Sequence, residues 1–145
     1  MGQEAWELKI RYPRSRLEKL GVKPDSVLSV INVTDPTFGD ELEGVGVKPS
    51  VGRTRKGSTL IVYGVETQPH LDKLTALRAS ITQDGAIWVV WPKGRKTLRE
   101  DDVRRAAIAQ GLVDVKVMSF SDVLSGLKLV IPVAQRVKKR AKQKT

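Results

Sequence analysis

The stretch from Gly85 to Val130 constrains the fold of this chain more than any other. It reads Gly-Ala-Ile-Trp-Val-Val-Trp-Pro-Lys, then an amphipathic segment, then Gly-Leu-Val-Asp and finally Ser-Gly-Leu-Lys-Leu-Val. A continuous apolar strand followed by an amphipathic helix of about a dozen residues is how a sheet covered by helices on both faces is written. Ala86 to Trp91 is predicted as a buried strand, and the period of two puts Trp88 and Trp91 on opposite faces of it, both as core. Thr97 with Glu100 three residues on reads as a capping box. Val103, Ala106 and Ala107 continue the inner face of that helix and Gly111 closes it. Val115 to Phe120 and Leu127 to Val133 are strands joined by a link too short for a crossover, so they pair antiparallel.

Upstream, Tyr12-Pro13 opens a short helix over Arg14 to Leu20 that ends at Gly21, and Lys23-Pro24-Asp25 turns into an apolar strand from Val27 to Val33. Thr34 to Gly57 is rich in glycine, proline and charge, with room for a short helix near Phe38 to Leu42 and a weak strand near Val45 to Val51. Thr59 to Val65 reads as a buried strand. Pro69, with Leu71, Leu74, Leu77 and Ile81 at helical spacing, starts a helix that Asp84-Gly85 is predicted to end. Strands separated by helices run parallel, so only the last is reversed. The expectation is one α/β domain over 1–133 followed by a basic, disordered tail over 134–145.

Several kinds of chemistry are excluded by composition. The chain of 145 residues has no cysteine, which removes a disulfide framework, a thiolate zinc site and a thiol nucleophile together. His70 is the only histidine. No histidine pair can therefore hold a metal, and His70 is expected as an exposed residue in a helix's first turn. Ser58, Ser80, Ser119, Ser121 and Ser125 have no nucleophile-elbow context. Gly52-Arg53-Thr54-Arg55-Lys56-Gly57-Ser58-Thr59 is close in letters to a phosphate loop, but it has serine where the lysine belongs and precedes a strand instead of following one. No apolar run approaches the ~20 residues of a membrane span. The chain is expected to be cytoplasmic, with no catalytic constellation, no metal site and no resident cofactor.

The formal net charge is +10, and its distribution matters more than its size. Arg136, Lys138, Lys139, Arg140, Lys142 and Lys144 fall in one acid-free run, which leaves the rest of the chain at only +4. Such a run attracts phosphate-rich partners through counterion release, nucleic acid above all. Arg95, Lys96, Arg99, Arg104 and Arg105 are candidates to extend that basic surface.

Leu20-Gly21-Val22-Lys23-Pro24, the run Asp84 to Lys93 with its Trp-x-x-Trp-Pro-Lys, Gly111 to Val117 and Ser125 to Val130 together resemble a bacterial family known as domain of unknown function 3052. The resemblance covers about Leu17 to Val133. Leu124 departs from it, standing where the family often has tryptophan. The resemblance implies a degenerate methyltransferase-like Rossmann fold with a mostly parallel sheet, a C-terminal antiparallel strand and helices on both faces, and no established activity.

S-adenosylmethionine is usually held by a glycine-rich turn after the first strand and an acid that grips the ribose. Thr34-Asp35-Pro36-Thr37-Phe38-Gly39 offers one glycine and a proline where amide donors are wanted. Three weak cofactor-binding candidates remain at the carboxyl ends of the strands: Asp35, Glu66 and Lys93. The favoured expectation is a non-enzymatic binding module whose tail holds nucleic acid or another polyanion. The alternative is a transferase-like enzyme, related to methyltransferases, with a diverged cofactor site at the carboxyl edge of the sheet.

Overall fold

The apolar run that dominates the sequence becomes β4 (Ile81–Pro92), a strand inside a six-stranded sheet. The computed structural model describes residues 15–136. Before β4 come α1 (Arg16–Leu20), β1 (Leu28–Ile31), α2 (Pro36–Gly44), β2 (Ser50–Val51), β3 (Ser58–Gly64), a 3-10 turn (Gln68–Lys73) and α3 (Leu74–Ser80). After it come α4 (Glu100–Ala109), β5 (Val113–Ser119), β6 (Leu124–Val130) and a second 3-10 turn (Val133–Gln135).

The strand order is β2-β1-β3-β4-β6-β5. β2, β1, β3 and β4 are parallel, whereas β6 slots between β4 and β5 antiparallel to both. The reversed final strand is thus where the sequence puts it. It pairs along its whole length with β4, from Pro92↔Leu124 to Ala86↔Val130.

Alternation along the strands divides the core in two. One face carries Ile61, Tyr63, Ile87, Val89 and Trp91 under the 3-10 turn, α3 and α4, which contribute Leu71, Leu74, Leu77, Val103 and Ala107. The other carries Val30, Val62, Trp88 and Val90 under α1 and α2, which contribute Leu17, Leu20, Phe38 and Leu42. Trp88 and Trp91 are both buried, one in each layer, as the period of two requires. The Trp88 indole N–H donates to the Leu20 carbonyl at 2.9 Å, so the ring ties α1 to the sheet and leaves no buried donor unpaired.

Several local expectations are corrected. Ser15 caps α1 and, with Glu18, forms the capping box there, so the helix begins at Arg16; the expected start at Arg14 lies outside the described residues. At α4 the predicted Thr97–Glu100 box does not form. The helix starts two residues later, and the Asp102 carboxylate accepts the Arg99 N–H at 2.8 Å. That hydrogen bond is the chief reason the Asp102 carboxyl titrates below its usual range. Asp84-Gly85 does not end a helix. α3 stops at Ser80, and Ile81 already pairs with Ser58 in the sheet. The next register pair is Leu60↔Ala86, so residues 82–85 bulge out of β4. Gly85 sits in that bulge because a Cβ there would lie 2.8 Å from the Thr82 hydroxyl and 3.0 Å from the Thr59 carbonyl.

Candidate functional site at the carboxyl edge of the sheet

The chain leaves β1 to one side, through α2 to β2, and then returns across β1 to β3 on the other side. The carboxyl ends of β1 and β3 therefore flank a topological switch point, where open α/β sheets leave a crevice for ligands. Here the joint is tight. Asn32 takes a left-handed conformation with φ 57°, and its side-chain amide donates to the Gly64 carbonyl at 2.9 Å. A Cβ on Gly64 would lie 1.9 Å from the Asn32 carbonyl oxygen, so only glycine admits this approach of backbone to backbone.

Two cavities open beside the joint, and Asn32 and Glu66 line both. The smaller, about 180 Å³, lies over the ends of β3 and β4 between Thr34, Val65, Pro92 and Leu124. The larger, about 520 Å³, lies on the face of α3 and is walled by Arg53, Thr54, His70 and Lys73 over a floor that includes Ile31 and Leu77.

Asp35, Glu66 and Lys93 are not brought together. Asp35 is the N-cap of α2, accepting the backbone N–H groups of Thr37 and Phe38 at 3.1 and 3.2 Å. Its second oxygen accepts from Arg16 at 2.8 Å. Arg16 also holds Glu41 at 2.9 Å, donates to the Phe120 carbonyl at 3.1 Å, and lies over the Phe38 and Phe120 rings at 5.2 and 4.7 Å. Burial pushes the Asp35 carboxyl up, but the hydrogen bonds from Thr37, Arg16 and Phe38 and the guanidinium charge outweigh it and hold the carboxyl below its usual range. The carboxylate is fully committed to the fold.

Glu66 is exposed at the switch point. Its backbone N–H donates to His70 Nδ1 at 3.0 Å, and its carbonyl accepts from Arg95 at 3.3 Å. No hydrogen bond or ion pair among the described residues engages its carboxylate, which leaves the carboxylate able to accept from a hydroxyl. His70 is half-buried in the 3-10 turn, not exposed as expected. Because Nδ1 accepts, the neutral ring carries its proton on Nε2. Tyr63 braces the same turn, donating its hydroxyl to the His70 carbonyl at 2.6 Å, and burial raises its phenol above the usual range. Lys93 stands apart, donating from Nζ to the Ser119 hydroxyl at 2.6 Å beside a third, shallower cavity with Arg95, Lys96 and Arg99.

The basic surface is also redistributed. Arg104 bridges Glu100, Asp101 and Asp114 at 2.6, 2.9 and 3.1 Å, and Arg105 pairs with Asp102 at 2.9 Å. Those two cations are each paired with carboxylates of their own neighbourhood. Arg136 donates to the Ile131 carbonyl at 3.0 Å. Lys138, Lys139, Arg140, Lys142 and Lys144 lie outside the described residues, as do Arg11 and Arg14. Among the described residues no cluster of acids and histidine is arranged to hold a metal ion, and no helix is long and apolar enough to cross a membrane.

Of the wall residues, Arg53 falls in the run Gly52 to Thr59 that is close in letters to a phosphate loop but fails its pattern, and Lys73 carries no motif at all. Nothing in the sequence links the two across 20 positions.

This architecture is a methyltransferase-like Rossmann fold. A TehB-like S-adenosylmethionine-dependent methyltransferase from Corynebacterium glutamicum superposes with TM-score 0.54 at 12% identity, over 89% of this chain and 95% of that one. An S-adenosylmethionine-dependent methyltransferase from Clostridium acetobutylicum gives TM-score 0.51 at 7% identity, over 89% and 97%. A ribosomal protein methylase from Lactobacillus delbrueckii subsp. bulgaricus gives 0.48 at 17% identity over 74% of this chain, which spans only 58% of that protein's length. No family model matches the sequence, and no curated protein matches it.

Proposed function

We propose that the chain is a transferase-related protein that binds a small nucleotide-type ligand at the carboxyl edge of its sheet, around Asn32 and Glu66. The observation that carries this reading is the pair of cavities meeting at those two residues, at the switch point between β1 and β3. The methyltransferase-like architecture supports it, because the crevice lies where open sheets of this kind take ligands. Glu66 is the residue suited to ribose hydroxyls, since the Asp35 carboxylate is held by Arg16 and by the cap of α2. Membership of the family known as domain of unknown function 3052 belongs to the same proposal and rests on the four motifs quoted above.

The test is thermal stabilisation by S-adenosylmethionine, S-adenosylhomocysteine, adenosine and adenine nucleotides. A ligand of the native state raises Tm with concentration, by about 2.7 kcal/mol of stability at a hundred times Kd. Glu66→Gln should remove most of that rise. If none of the four moves Tm, the edge is not a nucleotide site.

A second reading is favoured by one observation, the six cations and no acid over 136–144. On that reading this run carries salt-sensitive binding to nucleic acid or another polyanion. Anisotropy of labelled DNA and RNA should fall steeply with salt for the natural sequence. Replacing Lys138, Lys139, Arg140, Lys142 and Lys144 by glutamine should abolish it; if binding survives, the run is not the binding element.

A further inference from the structure

The larger cavity exists because a layer of the fold is thin. β2 and β3 lie on either side of β1, yet only six residues, Gly52 to Gly57, join them. A parallel crossover normally takes a dozen residues or more and lays a helix on the sheet. This one is a loop, and it leaves the sheet face between itself and α3 open.

The loop is nevertheless built. The Gly52 N–H donates to the Val30 carbonyl at 2.9 Å, and the Ser50 hydroxyl donates to the Arg53 carbonyl at 2.6 Å. Beneath it, Ser29 and Ser58, the two fully buried polar side chains of the described core, bond each other at 2.8 Å. Ser29 accepts the Arg55 N–H at 2.9 Å, and Ser58 donates to the Arg55 carbonyl. Arg53 therefore projects from backbone fixed on both sides.

The lining is sorted by chemistry. Ile31, Tyr63 and Leu77 give an apolar floor, Arg53 and Thr54 stand on one wall, and His70 and Lys73 on the other. No ion pair among the described residues involves Arg53 or Lys73, whereas Arg16, Arg104 and Arg105 are each paired with carboxylates. Two cations facing one groove repel each other until an anion joins them, and the neutral imidazole adds a hydrogen-bond donor. Glu66 at the end of the groove is suited to accept from hydroxyls and would repel the anion, which separates the two ends of the ligand. A volume of about 520 Å³ falls within the usual range for small-ligand sites, roughly 300–1,000 Å³, and the 180 Å³ cavity falls below it.

We propose that this groove takes a nucleoside phosphate, with the phosphate between Arg53 and Lys73, the ribose hydroxyls toward Glu66 and the base over the apolar floor. The proposal rests on the carboxyl-edge reading and narrows it, because a sulfonium cofactor brings positive charge to a site already carrying two unpaired cations.

The experiment is titration of the full chain with AMP, adenosine, inorganic phosphate and S-adenosylmethionine, read by calorimetry, for the natural protein and for Arg53→Ala and Lys73→Ala. Circular dichroism confirms that each variant is folded. AMP is expected to bind at least tenfold more tightly than adenosine, and each substitution to weaken AMP at least tenfold while leaving adenosine unchanged. AMP binding that survives both substitutions resides on the basic run and overturns the proposal. Tighter binding of S-adenosylmethionine than of AMP overturns it too, while leaving the carboxyl-edge reading intact. If none of the four binds, both readings fall.

Discussion

Two arginines on opposite faces of the sheet, both near the carboxyl ends of the strands, meet opposite fates. Arg16 is enclosed: it pairs with Asp35 and Glu41, donates to the Phe120 carbonyl and sits against two aromatic rings that pack edge to face at 5.1 Å. Arg53 is held only by its backbone and faces an open groove. One region uses charge to close the molecule and the other leaves charge unspent. The difference teaches that a conspicuous acid in a loop is explained once its partner is found, whereas an exposed cation without a protein partner remains free to meet water or an anion.

The joint between these regions is the place to break the comparison outright. Gly64→Ala would drive a methyl group into the Asn32 carbonyl, and β1 and β3 cannot separate without disturbing both core layers. A loss on the order of 3 kcal/mol or more is expected, measured by urea unfolding, with both regions lost together. A variant that unfolds at the natural urea concentration would show that the joint is not rigid.

Arg16→Ala comes next. The Arg16 and Asp35 side chains are only 13% and 15% exposed, so removing the guanidinium strands a largely buried carboxylate. Removing one partner of a buried pair costs about 3–5 kcal/mol; here about 3 is expected. A loss below about 1 kcal/mol would mean the cluster is screened like a surface pair.

The same cluster sets a pH dependence of smaller size. The Asp35 carboxyl is held below its unfolded value of about 3.9. Its contribution to stability is therefore complete above that value and is lost as pH falls through the lower, folded one. Unfolding free energy should drop below about pH 4 in the natural protein. Arg16→Ala should flatten that part of the curve, and an unchanged slope in the variant would assign the acid sensitivity elsewhere.

Much of the fold was legible because its signals are local. The alternation within Ala86 to Trp91, the inner face Val103 and Ala107, and the short link before Leu127 each specify a neighbour within a few residues. What escaped reading depends on distance. Thr97 and Glu100 make a good capping box on paper, but the helix starts at Glu100 and Asp102 does the capping. Asp84-Gly85 looked like a helix end because bulges imitate turns in one dimension. β2 is two residues long and owes its existence to pairing with Ser29 and Val30. At the site, Glu66 and Lys93 were found as strand-end residues but belong to different cavities. Asp35 resembled a ribose acid only because Arg16 is 19 positions away. The groove itself is made by the shortness of a crossover, which no residue advertises.

The smallest expected change in stability is the most discriminating. Arg53→Ala removes an exposed side chain with no hydrogen bond or ion pair among the described residues, and the Ser50 bond to the Arg53 carbonyl survives it because that bond is to backbone. Surface substitutions of this kind change stability by less than about 0.5 kcal/mol. Relief of repulsion from Lys73 would bring the sign, if anything, toward stabilisation. An Arg53→Ala variant as stable as the natural protein, set beside an Arg16→Ala variant that is not, would show that the fold depends on one arginine and not on the other. A loss of 2 kcal/mol or more at Arg53 would reveal a structural role for it, of the size seen when a buried hydrogen-bonded group is left unpaired, and the groove would then have to be read as part of the scaffold.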